Sequence, residues 1–142
     1  MPPSHPELGD LLDACARRWR ERVIEGCVAA GFPNASQTTC QVLRPLFDTD
    51  GLPISEVGSR AGLAKSSMTT IVRHLVEEGF VVVSTDPDDH RVKRLELTPK
   101  ARELERAIDD GVTRLRHRVT ATLGPQGREQ LHKTLERLLH AL

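Results

Sequence analysis

Apolar residues in this chain recur at helical spacing in most of its length and alternate in only one place. From Leu8 they fall at Leu8, Leu11, Leu12, Cys15, Trp19 and Val23, the three-and-four spacing of one helical face. Arg17, Arg18, Arg20, Glu21 and Arg22 take the opposite face. The pattern predicts a helix from about Glu7 to Ala30, ended by Gly31 and Pro33. Ahead of it, Met1–Glu7 carries three prolines and is expected to be a flexible arm. Ser36 suits the N-cap of a second helix that buries Val42, Leu43, Leu46 and Phe47. Pro45 removes a backbone donor inside that helix, so a kink or an early end is expected there. Asp48–Gly51 then reads as a turn and Leu52–Ile54 as a short strand.

The stretch Pro53–Thr98 changes period twice. Ser55–Ala61 has a short helical pattern that stops at Gly62, and a longer one runs from Lys65 to Glu78 and stops at Gly79. In the longer one, Met68, Ile71, Val72, Leu75 and Val76 are expected to point inward. Two β-type runs follow, Phe80–Thr85 and Val92–Leu97, with Val81 and Val83 facing the core from one and Leu95 and Leu97 from the other. Helix, tight turn, helix, hairpin is the order of a winged helix-turn-helix, a DNA-reading unit. After it, Thr98 is an N-cap with Pro99 at the first helical position. Leu104, Ile108, Val112, Leu115, Val119 and Leu123 mark a long helix, Gly124–Pro125 breaks it, and Leu131, Leu135, Leu138, Leu139 and Leu142 stripe a last one. The expected fold class is mainly α with a small β-hairpin wing (α+β). Residues 36–98 form the DNA-binding unit, and residues 8–34 and 99–142 flank it as dimerisation helices.

Composition narrows this picture. A chain of 142 residues suits one domain, and 3 Phe, 1 Trp and no Tyr make its core aliphatic. Lys+Arg and Asp+Glu both number 20, so any DNA affinity must come from local placement of cations. The three cysteines, at 15, 27 and 40, share no CxxC spacing, which points away from a disulfide framework and from zinc. No apolar run approaches the roughly 18 residues of a membrane span, and no signal-peptide pattern opens the chain. A cytoplasmic protein without cofactor is expected. A hydrolase would need a Ser or Cys nucleophile near His and Asp, and no G-x-S-x-G motif occurs.

The outward face of the 65–78 helix holds the candidate chemistry. Ser66, Thr69 and Thr70 offer hydroxyls for phosphate positioning, while Lys65 and Arg73 can pair with guanine edges or phosphate. At the hairpin tip, Asp86–Pro87 forms a turn and Arg91 follows Asp89 by two residues. A guanidinium there can enter a narrow A·T minor groove, with Asp89 holding it extended. His90 lies beside it, and Lys93 and Arg94 add phosphate contacts along the strand. Asp86, Asp88, Asp89 and His90 do not make a calcium loop, since they have neither a central Gly nor a closing Glu.

The segments ISEVGSRAGLAKSSMTTIVRHLVEEGFV and DPDDHRVKRLELTPKAR resemble the MarR-type transcriptional regulators. The second is similar to that family's wing signature, an Asp-x-Arg followed by Leu-Thr before the next helix. The resemblance implies that Asp89 and Arg91 are the wing pair and that Ser66, Ser67, Thr69, Thr70 and Arg73 lie on the recognition helix. It also implies a homodimer on a pseudo-palindromic operator, acting as a repressor and released by a small aromatic or anionic ligand. The chain departs from the pattern where a Ser-like cap is usual, at Ala64, where Arg is frequent, at Thr70, and where basic residues are frequent, at Val83 and Ser84. Within residues 60–100 the cations Arg60, Lys65, Arg73, Arg91, Lys93, Arg94 and Lys100 outnumber Glu77, Glu78, Asp86, Asp88, Asp89 and Glu96 by one. Binding is therefore expected to be strongly salt-sensitive and to depend on a few cations.

Ligand pockets in such regulators lie between the dimer helices and the winged unit. Trp19, Arg44 and Phe47 are the candidates to line one here. Some relatives sense peroxides through a cysteine near the start of the first helix, the region of Cys15. Arg17 and Arg18 could lower its thiol pKa, but the apolar stripe predicts burial, and the supporting tyrosines do not exist in this chain. His117, His132 and His140 share no i,i+4 pair, which disfavours zinc sensing. The alternatives to a ligand-released repressor are a redox regulator acting through Cys15 and a dimeric wing-fold module acting through protein contacts.

Overall fold

The computed structural model describes residues 5–142, so most of the expected arm at 1–7 lies outside the described residues. Helices α1 (Leu8–Ala29) and α2 (Gln37–Asp48) come first. Strand β1 (Leu52–Pro53), helices α3 (Ile54–Ala61) and α4 (Lys65–Glu77) and strands β2 (Val81–Thr85) and β3 (Lys93–Leu97) follow. Helix α5 (Pro99–Ala141) closes the chain. The three strands form one antiparallel sheet in the order β1-β3-β2, with Leu52 and Val83 both opposite Leu95. This is a winged helix-turn-helix carried between two long helices. No helix of the described residues is long and apolar enough to cross a membrane.

Local chemistry explains most of the boundaries. The Ser36 hydroxyl accepts the Thr39 N–H at 3.1 Å and opens α2, and the Thr98 hydroxyl accepts the Ala101 N–H at 3.3 Å and opens α5. Gly62 ends α3 at φ 69°, in the left-handed region where a side chain would be strained. Ala64 offers no side-chain cap to α4. Gly124 adopts φ 75° and ψ 164°, so α5 is two helices joined at the expected Gly–Pro break. Pro45, by contrast, neither ends nor interrupts α2, which continues to Asp48. Its fixed φ suits a helix, the absent N–H leaves only the Gln41 carbonyl without its partner one turn on, and its ring is buried.

The core lies between α2, α3, α4, the sheet and the first half of α5. Phe80, Leu43, Leu46, Leu75, Leu95 and Leu104 fill it, and the Phe32 and Phe80 rings lie 6.4 Å apart. From α1 only Val23 and Cys27 are buried; α1 meets α5 where Gly26 and Gly111 let the backbones approach. Two inward assignments fail. Val76 is 43% exposed because, at roughly 100° per residue, it sits about 80° round α4 from Met68. Val83 is 44% exposed although Leu95 opposite it is buried, because β2 is the outer strand and its tip half runs beyond the core. Cys15 is likewise exposed, as are Leu8 and Leu11, since none of the described residues covers that end of α1.

Leu104→Ala is expected to cost about 2–5 kcal/mol, the range for truncating a fully buried leucine. Leu139→Ala, at a residue 77% exposed, should leave the unfolding free energy of the isolated chain unchanged. Urea denaturation at low protein concentration reads both.

Candidate nucleic-acid interface

Two features of the winged unit carry most of the predicted contact residues. On α4, Lys65, Ser66, Ser67, Thr69, Thr70 and Arg73 are all exposed, while Met68, Val72 and Leu75 bury the other face. Among the described residues, Lys65 and Arg73 have no side-chain hydrogen bond or ion pair, so both are available to a partner. The second feature is the wing. Arg91 projects from its tip with 91% of its side chain exposed. The Arg91 backbone N–H and Nε donate to Asp89 Oδ1 at 3.0 and 3.1 Å, and Nη2 donates to Oδ2 at 3.3 Å. The carboxylate thus grips the guanidinium from the side and leaves its far edge free. His90 is exposed beside it.

Other predicted cations are engaged inside the protein. Arg94 is half-buried: its Nε donates to Asp86 Oδ2 at 2.5 Å and its Nη1 to the Gly51 carbonyl at 2.8 Å. Its place is at the root of the wing. Lys93 donates to Thr85 Oγ1 at 2.8 Å across the hairpin but remains exposed. Lys100 donates to the Glu78 carbonyl at the end of α4 and covers the Phe80 ring at 4.8 Å. Arg60 pairs with Glu56 on α3. Of the predicted contact cations, those without an acidic or carbonyl partner among the described residues are therefore Lys65 and Arg73 on α4 and Lys93 on the wing.

Sequence reasoning missed Asp86. It is 7% exposed, and its Oδ1 accepts the N–H groups of Asp88 and Asp89 at 2.8 and 3.0 Å. Ser84 opposes Arg94, so Asp86 and Arg94 are diagonal neighbours in the hairpin. That opposite-charge diagonal was the available signal, and the turn propensity of Asp–Pro hid it. The Asp88 amide, then Arg94, then the Asp89 amide hold the Asp86 carboxyl below its ordinary value of 3.8, against a smaller opposing effect of burial. Arg91 does the same for Asp89, chiefly through its guanidinium and then its backbone N–H.

Behind the winged unit, α1, α2 and α5 enclose a cleft of 960 Å³. Trp19 on α1 and Arg44 and Phe47, one turn apart on α2, all line it. Arg20 and Arg60 add positive charge to its wall, and Asp48, Glu105 and Asp109 add negative charge. Among the described residues, Arg20 and Arg44 have no ion-pair partner. Cys40 also faces the cleft, but burial, reinforced by Cys27, pushes its thiol up to about 11, which keeps it protonated at neutral pH. Cys15 lies outside this cleft, on the exposed end of α1.

Since both wing carboxyls titrate below 3.8, their contacts are at full strength above that pH and fade as pH falls through the lowered values. Carboxyl-carbon NMR titration should place the midpoints of Asp86 and Asp89 below 3.8. A midpoint at or above it would contradict the bonding described.

Known proteins share this fold. Residues 36–93 match the MarR family. The HTH-type transcriptional regulator TtmR of Methylorubrum extorquens (strain PA1) is 34% identical over 68 residues, which are 48% of this chain and 35% of TtmR. The match thus spans about a third of the length of that curated relative. Among solved structures, the transcriptional repressor CouR bound to a 23-mer DNA duplex superposes with a TM-score of 0.74 and 28% identity, over 94% of this chain and 92% of that one. MarR itself gives a TM-score of 0.76 at 21% identity, over 96% and 97% of the two chains. Residues 36–93 match the model of the MarR family, and the chain as a whole shares the winged-helix fold of these solved structures.

Proposed function

We propose that this protein is a homodimeric, sequence-specific repressor that places α4 in the major groove and Arg91 in the minor groove of a pseudo-palindromic operator. The observation that carries the reading is Arg91, extended from the wing tip by Asp89, in the same unit as the unpartnered polar face of α4. A single guanidinium so presented suits a narrow, A·T-rich minor groove, where the negative potential is deepest. CouR, of the same fold, is seen bound to a DNA duplex, which supports the assignment.

Dimerisation follows from what the single chain leaves uncovered. Leu8, Leu11 and Trp19 on α1, and Leu123, Leu131, Leu135 and Leu139 on α5, are all more than a third exposed. The N-terminal part of α1 and the C-terminal part of α5 thus present apolar residues that none of the described residues buries, and a two-fold pairing covers them. Two subunits then supply two α4 helices to successive major grooves about 10 base pairs apart. The cleft beside α1 and α2 takes a small aromatic or anionic ligand, with Trp19 and Phe47 as stacking walls and Arg44 as the anion partner. Its occupation releases the DNA.

Binding to the DNA upstream of the protein's own gene, measured at two salt concentrations, tests the reading. Affinity should fall steeply with salt; a flat slope, or no specific complex, would retire it in favour of a module acting through protein contacts. Arg91→Ala should cost about 1–3 kcal/mol of specific binding on an A·T-flanked site while sedimentation still shows a dimer. Equal binding by variant and parent would refute the minor-groove role. A monomer at micromolar concentration would refute the two-fold pairing.

A further inference from the structure

A series of hydrogen bonds, joined at one point by a loose ion pair, runs from the wall of the cleft to the tip of the wing. It begins at Arg102 on α5, whose Nη1 donates to Glu105 Oε2 at 2.9 Å and to the Phe47 carbonyl at 3.4 Å. Both of those residues line the cleft. The same guanidinium faces Asp50 Oδ2 through Nη2 at 3.9 Å. Asp50 Oδ1 accepts the N–H of Gly51 at 2.8 Å and that of Leu97, the last residue of β3, at 2.9 Å. The Gly51 carbonyl accepts from Arg94, which holds Asp86, which in turn holds the Asp88 and Asp89 amides at the tip. Asp89 grips Arg91.

We propose that Arg102 and Arg94 are positioning residues that join the cleft to the wing through the Asp50–Gly51 turn, so that a shift of Phe47 or Glu105 resets the pose of Arg91. Two carboxylates are used alike. Asp50 and Asp86 each give one oxygen to backbone N–H groups and the other to an arginine, so turning the arginine turns the backbone that the other oxygen holds. The two arginines hold adjacent residues of one turn, Asp50 and Gly51, and a movement on the cleft side therefore reaches the wing without passing through α4. Arg102–Asp50 is the longest contact in the series, and Arg102 already has partners in the cleft wall. A ligand that draws Glu105 or Phe47 away from Arg102 changes what Arg102 offers Asp50. What Arg91 does once reset rests on the DNA reading above; the mechanical link does not.

Amide hydrogen exchange on the full chain without DNA tests the link separately from that reading. Arg102→Gln removes the charge on the cleft side. Asp50→Asn keeps an oxygen for the Gly51 and Leu97 amides but loses the attraction to Arg102. Each should speed exchange severalfold at the Asp86, Asp88 and Asp89 amides, which neither residue touches, and leave Met68 and Val72 in α4 at the parent rate. Arg102→Lys should restore part of the protection. If Arg102→Gln fails to fold, Asp50→Asn carries the same readout. Parent-rate exchange at the wing tip in these variants, with faster exchange in Arg94→Gln alone, would overturn the proposal. Faster exchange in a protein that binds no specific DNA would uphold the link and refute the DNA reading instead.

Discussion

A two-stranded hairpin that leaves the body of a small protein has no core of its own, so its direction is fixed only at its root. Here the root is fixed by Arg94. Its guanidinium ties Asp86, where the hairpin leaves β2, to the Gly51 carbonyl in the turn before β1. Because Asp86 also holds the tip amides, the fork at the root and the loop at the end form one polar frame. Val82 and Val83, both exposed, show how little apolar packing supports the wing beyond Val81. Charge and hydrogen bonding set its pose, and Arg91 can be presented only because that pose is set.

The same frame explains why the winged unit has few free cations. Several cations that a count along the chain would assign to a phosphate backbone are structural. Arg94 builds the wing root, Lys100 covers Phe80 and the end of α4, and Arg60 pairs along α3. Phosphate neutralisation is the main source of sequence-independent affinity, so few free cations per subunit make pairing of subunits matter more. Under the proposed two-fold pairing, two units, each with Lys65 and Arg73 on a helix and Arg91 on a wing, would double a modest electrostatic contribution and fix its spacing. The exposed apolar residues of α1 and α5 are the surface that pairing would use.

The cleft and the wing share a structural element without touching. The turn at Asp50–Gly51 meets Arg102 from the cleft side and Arg94 from the wing side. Phe47 and Glu105 belong to the cleft and also to Arg102, so the space a small molecule would occupy is walled by residues with a second task. Regulation of a winged unit needs some such shared element, since α4 itself is packed into the core through Met68, Val72 and Leu75 and has little freedom to move alone.

Periodicity, caps and glycines determined the elements. Ser36, Gly62, Thr98 and the Gly124–Pro125 break act within a few residues of themselves, and each behaves as its local chemistry dictates. The exposed face of α4 and the Asp89–Arg91 pair were legible for the same reason: the partners lie within one helix or one turn. Pro45 misled because the cost of one lost hydrogen bond depends on what its ring packs against, and here the ring is buried. Val76, Val83 and Cys15 misled because a stripe in the sequence says which face is apolar, not whether anything covers it. Only the tertiary structure decided which cations are free, that Trp19, Arg44 and Phe47 line one cleft, and that Arg102 and Arg94 meet at one turn. Those facts depend on contacts between residues as far apart as Gly51 and Arg94 or Phe47 and Arg102, and no local pattern encodes a distance between segments that only the packed core brings together.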